Sequence, residues 1–230
     1  MITTTPSLAL FDCDGTLVDS QHAIVAAMTA AWRCHGLADP DPAAVRRIVG
    51  LSLLAAVAAL LPQGMPRDHE RLAELYKEAF RDQRRLGTQE EPLYPGAVAA
   101  LDALAAAGVW LGVATGKGRR GLMPLLEHHA LTDRFVTLQT ADDGPGKPHP
   151  DMIHRAQAVT GVDADRVVMI GDTSFDMLMA VAAGVGAVGV AWGYHDVAEL
   201  TAAGADHIVD DFAAVPATVL GLLPRTGTES

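Results

Sequence analysis

The stretch Phe11-Asp12-Cys13-Asp14-Gly15-Thr16-Leu17-Val18-Asp19 sets the tightest constraint on what this chain can become. An apolar run, Leu8-Ala9-Leu10-Phe11, stops at two carboxylates that flank a single cysteine. The run has the composition of a strand buried on both faces of a parallel sheet. A buried strand ends in paired acids where its end meets water, a cation or a substrate, and α/β sheets bind their ligands at the carboxyl ends of their strands. Oxygen donors placed there suit a hard cation, and a carboxylate can also serve as a covalent nucleophile. The competing reading of this motif alone is a capped Asp-Gly-Thr turn after an ordinary strand. An EF-hand is a poorer rival, because the sixth and twelfth positions counted from Asp12 hold Leu17 and Ala23 instead of Gly and Glu.

From Leu93 onward the pattern alternates between strand and helix. It predicts helices over 96–107, about 120–129, 150–160, 174–183, 196–203 and 211–221, and strands over 109–114, 135–138, 166–170, 186–191 and 207–209. Strands separated by helices of this length imply a parallel sheet with right-handed crossovers, hence an α/β fold of Rossmann-like type. Between Ser20 and Glu91 no strand-like run occurs, and the spacing predicts helices at 20–35, 42–48, 52–61 and 66–86. In the last of these, Leu72, Leu75, Tyr76, Ala79 and Phe80 share one face. The organisation expected is therefore a core domain of 1–19 and 92–230 with an inserted helical domain of 20–91. Residues Pro224 to Ser230 are expected to fray.

Chemistry-bearing residues recur just after the predicted strands. Thr115 and Gly116 follow strand 109–114, and a hydroxyl with a free backbone N–H at a strand-to-helix turn can hold two phosphoryl oxygens. Lys147 lies in the loop after strand 135–138, where Gly and Pro aim its ammonium. Asp172 and Asp176 follow strand 166–170 and bridge a strand end and a helix start, so both can face one cation. Each piece alone is weak: Gly-Asp before a helix is often only an N-cap. Their order, placement and spacing agree.

Together they resemble the signature of the haloacid dehalogenase superfamily, whose members are mostly phosphatases. Asp12 to Asp19 matches D-x-D-G-T-L-x-D, Thr115 the second motif, Gly146-Lys147-Pro148 the third, and Gly171-Asp172 through Asp176 the G-D-x-x-x-D form of the fourth. The helical insertion is similar to the C1-type cap of that superfamily. The resemblance implies a magnesium-dependent phosphomonoesterase. It assigns Asp12 as nucleophile and Asp14 as general acid and base. Thr115 and Lys147 complete the catalytic set. Asp12, the Asp14 backbone carbonyl and Asp172 hold Mg2+, with Asp176 close by. Thr16, Gly116 and Arg47 are expected to bind substrate; Arg47 lies in the loop Arg46–Ser52 between two predicted cap helices and is a candidate for gripping a substrate carboxylate.

Departures from the motifs narrow the activity. Dehalogenases of the superfamily lack an acid at the Asp14 position. Phosphonate-cleaving relatives lack it too and need a cap lysine, and the only one in the cap is Lys77. Sugar-phosphate mutases read D-G-V and carry His and Arg at the positions of Ile24 and Leu53, so Thr16, Ile24 and Leu53 all disagree with a mutase. The Asp14-to-Ser20 opening, the cap type and the small size resemble phosphoglycolate phosphatase, which makes phosphoglycolate the expected substrate. Hydrolysis of nucleoside monophosphates, sugar phosphates or pyrophosphate stays open. A receiver-type phospho-acceptor, the non-enzymatic alternative, places its Asp after the third strand, has no such insertion and lacks the second acid.

The formal charge of −11 disfavours nucleic acid and anionic membrane as partners, and it would also repel phosphate esters unless cations offset it locally. A small phosphate ester is the expected partner, and the chain is expected to be a monomer or homodimer. No apolar run is long enough for a membrane span. The start, Met1-Ile2-Thr3-Thr4-Thr5-Pro6, lacks the basic and apolar regions of a secretory signal. With Cys13 and Cys34 alone, no disulfide framework is expected, so the chain suits a reducing cytoplasm. Other patterns fail on context. Gly184 to Gly189 spells G-x-G-x-x-G but enters a strand instead of leaving one. His128-His129 lacks the spacing of a zinc pair. Arg81, Arg84 and Arg85 read as a solvated helix face.

Overall fold

The structure, a computed structural model, describes residues 6–88 and 90–224. The first residues of the expected leader-free start, and the expected frayed tail beyond Pro224, lie outside the described residues. Six strands run β1 Ser7–Phe11, β2 Val109–Thr115, β3 Thr137–Thr140, β4 Val167–Gly171, β5 Gly186–Val190 and β6 His207–Val209. They form one sheet in the order β3-β2-β1-β4-β5-β6, with every neighbouring pair parallel. β1 is central, and the chain winds outward from it in both directions. Its end is therefore the switch point where such sheets place a ligand.

The helices are α1 Gln21–Cys34, α2 Pro42–Arg47, α3 Leu53–Leu60, α4 Pro66–Leu86, α5 Ala97–Ala106, α6 Arg119–His128, α7 Asp151–Thr160, α8 Ser174–Ala183, α9 Val197–Ala202 and α10 Val215–Leu222. Side chains alternate across the sheet as the pleat requires. Ala9 and Phe11 face a core shared with Leu101 and Leu104 of α5, Leu122 of α6 and Val219 of α10. Leu8 and Leu10 face the other side, against Met152 and Ile153 of α7 and Met177 and Ala180 of α8. The result is the α/β architecture read from the sequence.

Between β1 and α5 stand the four expected helices, α1 to α4. They bury a hydrophobic cluster of their own around Met28, Trp32, Val45, Leu72 and Phe80. The amphipathic face predicted in 66–86 is the one that docks, since Leu72, Leu75 and Phe80 are buried there while Lys77, Glu78 and Arg81 are exposed. The chain leaves and re-enters the core through one gap. Val18 bridges Leu93, the Asp19 N–H donates to Pro92 O at 2.9 Å, and the Tyr94 N–H donates to Leu17 O at 3.0 Å.

One strand differs from expectation. Apolar Phe135-Val136-Thr137-Leu138 was the natural choice, yet β3 is Thr137–Thr140, and Val136 is exposed. Register with β2 decides this, since Gly112 to Thr115 pair with Thr137 to Thr140. The polar Gln139 and Thr140 are buried because their groups find partners: Gln139 Nε2 donates to Thr137 Oγ1, and Thr140 Oγ1 donates to Asp143 Oδ2. The last helix also starts later than expected, at Val215.

Leu101 is fully buried between α5 and the sheet. Leu101→Ala is expected to destabilise the fold by about 2–5 kcal/mol, seen as a lower urea midpoint with an unchanged m-value.

Candidate active site

The carboxyl ends of β1, β2 and β4 gather the groups singled out in the sequence. Asp12 directly follows β1 and is 1% exposed. Its N–H donates to Ile170 O at 2.9 Å, which continues the β1–β4 ladder and fixes the backbone. Asp12 Oδ1 accepts from the Cys13 N–H at 2.6 Å and is ion-paired with Lys147 Nζ at 2.8 Å. Asp12 Oδ2 is buried with no hydrogen-bond partner among the described residues. Such an atom costs free energy unless something else meets it.

Lys147 is fully buried and also reaches Asp176 Oδ1 at 2.6 Å. Asp176 is anchored by a capping box at the start of α8, where Thr173 donates to Asp176 Oδ2 through its N–H at 3.1 Å and its hydroxyl at 2.6 Å. Asp172 is held on both oxygens. Thr16 Oγ1 donates to Oδ1 at 2.8 Å, and the Tyr194 N–H donates to Oδ2 at 2.9 Å. Gly15, at φ +86°, lies so close to Asp172 that a Cβ there would sit 2.2 Å from Oδ2. A side chain at Gly15 would thus displace the carboxylate.

One oxygen each from Asp12, Asp172 and Asp176 lies within 4.8 Å of the others. Three carboxylates thus cluster in a buried site with one ammonium, which pairs with Asp12 and Asp176. Burial pushes Asp12 up to about 7, Lys147 opposes this, and Asp176 adds to it. Burial, with Asp12 and Asp176 nearby, also raises Asp172 well above the carboxylate range. Burial alone would lower the Lys147 ammonium, yet Asp12 and Asp176 hold it above its ordinary value. This cluster carries excess negative charge and only oxygen donors, which fits a hard divalent cation.

Asp14 stands apart from that cluster. Its Oδ1 accepts from Ser20 Oγ at 2.6 Å and pairs with Lys117 Nζ at 3.0 Å. Lys117 also pairs with Glu91 at 3.0 Å and lies 4.8 Å from the centroid of the Phe80 ring. Burial would lower the Lys117 ammonium, but Asp14 and Glu91 hold it above its ordinary value. The Ser20 N–H donates to Tyr194 Oη at 3.3 Å, which ties the start of α1 to the loop after β5. Ser20, Glu91, Lys117 and Tyr194 escaped the sequence reading. The signal for Lys117 was its place in the Thr115-Gly116-Lys117-Gly118 turn; nothing local marks the other three.

Thr115 ends β2 with its hydroxyl buried, accepting from the Lys117 N–H at 3.1 Å. Gly116 touches the helical block so closely that a Cβ would lie 2.5 Å from both Gly50 O and Leu51 O. Gly50, at φ +99°, rests on Thr173 and Phe175. The loop 48–52 therefore covers the strand ends. Above Asp12, Asp14, Thr115 and Gly116 it closes a chamber of about 790 Å³ with Met28, Val49 and Phe80 in its walls.

Two expected substrate contacts are corrected. Thr16 is fully buried and its hydroxyl is spent on Asp172, so it orients a carboxylate and does not face the chamber. Arg47 lies outside the chamber, on the surface, where its guanidinium pairs with Glu199. Its carbonyl is engaged as well: His195 Nδ1 accepts from the Ser174 N–H at 3.1 Å, so the proton sits on Nε2, which donates to Arg47 O at 3.0 Å. Conversely, Arg81 and Arg84, read as a solvated face, line the chamber with Arg120.

The family model for haloacid dehalogenase-like hydrolases matches residues 9–190. This chain belongs to that family. The haloacid dehalogenase-like chain is 38% identical to a protein of Dickeya dadantii named probable phosphatase IndB, over 94% of each chain. It is 35% identical to a phosphoglycolate phosphatase of Rhodospirillum rubrum, over 91% of this chain and 89% of that one. It is similar to the crystal structure of a hydrolase from Pseudomonas syringae, with TM-score 0.80 and 26% identity, over 95% and 100% of the two chains. This haloacid dehalogenase-like protein is thus a hydrolase of the phosphatase kind, similar to phosphoglycolate phosphatases. Among its described residues no helix is long and apolar enough to cross a membrane.

Lys117 separates two buried carboxylates. Lys117→Met should destabilise the protein by about 3–5 kcal/mol, because Asp14 and Glu91 would lose the buried cation they share. Adding Glu91→Gln to that variant should recover part of the loss, read from urea unfolding of both proteins.

Proposed function

We propose that this protein is a magnesium-dependent phosphomonoesterase that works through an aspartyl phosphate on Asp12. The observation that carries this reading is the unpartnered Asp12 Oδ2, buried at the chamber floor beside Asp14. Asp12 attacks phosphorus in line; a P–O bond to Asp12 forms as the bond to the leaving alcohol breaks. Asp14 delivers a proton to that leaving oxygen. It then takes one from the water that attacks phosphorus and breaks the aspartyl P–O bond. The Ser20 hydroxyl and Lys117 keep Asp14 aimed at the chamber. Thr115 and the Gly116 N–H hold phosphoryl oxygens, and Lys147 offsets charge on Asp12.

Asp12, the Asp14 carbonyl and Asp172 are the proposed ligands of magnesium, with Asp176 beside them. Magnesium bound there would supply positive charge to offset that of the carboxylates and of the phosphoryl group. Thr16, Tyr194 and the Thr173 cap hold Asp172 and Asp176 in place.

Residues 20–91 act as a cap domain over a core of 1–19 and 92–230. The loop 48–52 excludes water while it is closed, and the paired connections at Val18–Leu93 serve as the hinge. The substrate is a small phosphorylated metabolite. Phosphoglycolate comes first because relatives bear that name. Its short carboxylate would reach Lys117, the cation beside Asp14. Nucleoside monophosphates, sugar phosphates and pyrophosphate are the alternatives. A reducing cytoplasm suits the buried free thiol of Cys13.

Asp12→Asn should keep the fold by circular dichroism and lower kcat toward p-nitrophenyl phosphate by on the order of a thousandfold or more, about 4 kcal/mol in barrier. Retention of activity within about tenfold, ~1.4 kcal/mol, would rule out the covalent route. EDTA should abolish turnover and added magnesium restore it. Asp172→Ala should weaken magnesium binding measured by calorimetry; an unchanged affinity would remove Asp172 from the ligand set.

A further inference from the structure

The chamber is far larger than a two-carbon ester needs. At about 790 Å³ it falls within the range of roughly 300–1,000 Å³ that encloses a drug-sized ligand. Its polar groups are divided between two ends. The floor holds Asp12, Asp14, Thr115 and Gly116, and Ile24, Met28, Val49, Leu53 and Phe80 give it apolar walls.

The outer end carries arginines from both sides of the cleft: Arg81 and Arg84 from α4 and Arg120 from α6. Among the described residues none of the three is in an ion pair with a carboxylate. Arg81 Nε donates to Lys77 O at 3.2 Å, and Arg84 Nη2 donates to Gly121 O at 3.4 Å. The acids that also line the chamber have nearer partners, although Glu74 also feels the charge of Arg81 and Arg120. Glu74 pairs with Lys77 at 2.8 Å, and Asp142 Oδ2 accepts from the Arg119 N–H at 2.8 Å. In a chain of net charge −11, three guanidiniums with no ion-paired carboxylate among the described residues, grouped on one cavity with Glu74 as their nearest acid, form a local concentration of positive charge.

Contacts order Lys117 and Arg84 outward from the floor. Lys117 touches Asp14, and a Cβ on Gly121 would lie 3.1 Å from Lys117 Cγ. Gly121 O in turn meets Arg84. A short substrate carboxylate would stop at Lys117 and leave the arginines unused. Guanidinium forks suit phosphate or carboxylate oxygens.

We propose that the preferred substrates are longer phosphate monoesters whose leaving group has an apolar or flat body and ends in a second oxyanion, held by Arg81, Arg84 and Arg120. This rests on the phosphomonoesterase reading above and narrows its substrate class. Phosphoglycolate, placed first above from the names of relatives, falls outside that class and becomes a weakly used substrate.

The test compares kcat/KM within matched pairs at constant ionic strength. One pair is phenyl phosphate and 4-carboxyphenyl phosphate; the other is adenosine 5′-monophosphate and adenosine 3′,5′-bisphosphate. Phosphoglycolate is run alongside. The native protein should favour the member with the second oxyanion at least tenfold in one pair or both, and should use it better than phosphoglycolate. The pair that responds tells whether that oxyanion is a carboxylate or a phosphate. In R84Q/R120Q that preference should fall at least fivefold. A native protein that shows no preference in either pair, or favours phosphoglycolate over every longer ester, overturns the proposal and leaves the phosphatase reading standing. So does an undiminished preference in the double variant. If the native protein hydrolyses no member of the panel with magnesium present, both readings fall.

Discussion

Everything at the switch point depends on three buried carboxylates gathered around a single ammonium that pairs with two of them. Lys147 touches Asp12 and Asp176, while Asp172 is held by Thr16 and the Tyr194 N–H. The carboxylates come from two strand ends and a helix start, and the lysine from a loop beyond a third strand. None could be placed so close to the others without the parallel sheet to fix it. The charge imbalance is therefore a property of the topology as much as of the side chains. A group of like charges in a poorly solvated place resists ionisation unless a counterion arrives. The fold holds that demand in place through Gly15 and Gly171, where a Cβ would collide with Asp172 and Asp176 respectively.

A second charge system, built on Asp14, is arranged differently. Lys117 is placed between Asp14 and Glu91 and lies beneath the Phe80 ring of the helical block. The core residue that steadies Asp14 is thereby also in contact with the covering element. The other side of the cover is fastened independently, through His195 to Arg47 O and through Arg47 to Glu199. The two sides differ in kind. One contact is made at the chamber, by groups next to the proposed chemistry, and the other on the surface, by groups remote from it.

What could be read from the sequence follows from how local each signal is. The juxtaposition of Asp12, Lys147, Asp172 and Asp176 was legible because each follows a strand, and strand ends in a parallel sheet converge. The roles of Ser20, Glu91, Lys117 and Tyr194 were not. Their partners lie in other elements, and an isolated serine or tyrosine carries no periodic signal. Thr16 was misassigned because a hydroxyl beside the acids has two possible directions, and only the position of Asp172 decides between them. Arg47 was misassigned because a loop near the site need not point every side chain inward. Strand β3 slipped by two residues for a related reason: its buried positions are polar and hydrogen-bonded, so hydrophobicity alone points to Phe135 and Val136.

The pairing of the two connections at Val18–Leu93 bears on how such a chain can vary. The helical block leaves and returns side by side, with the Asp19 N–H bonded to Pro92 O. The sheet therefore meets it as a closed loop whose ends are already joined. The entropy of closing a loop grows only with the logarithm of its length, about 0.6 kcal/mol for each doubling. Lengthening, trimming or exchanging the block would thus cost the sheet little conformational entropy, provided the replacement buries its own apolar face. The walls of the chamber can change while its floor stays fixed.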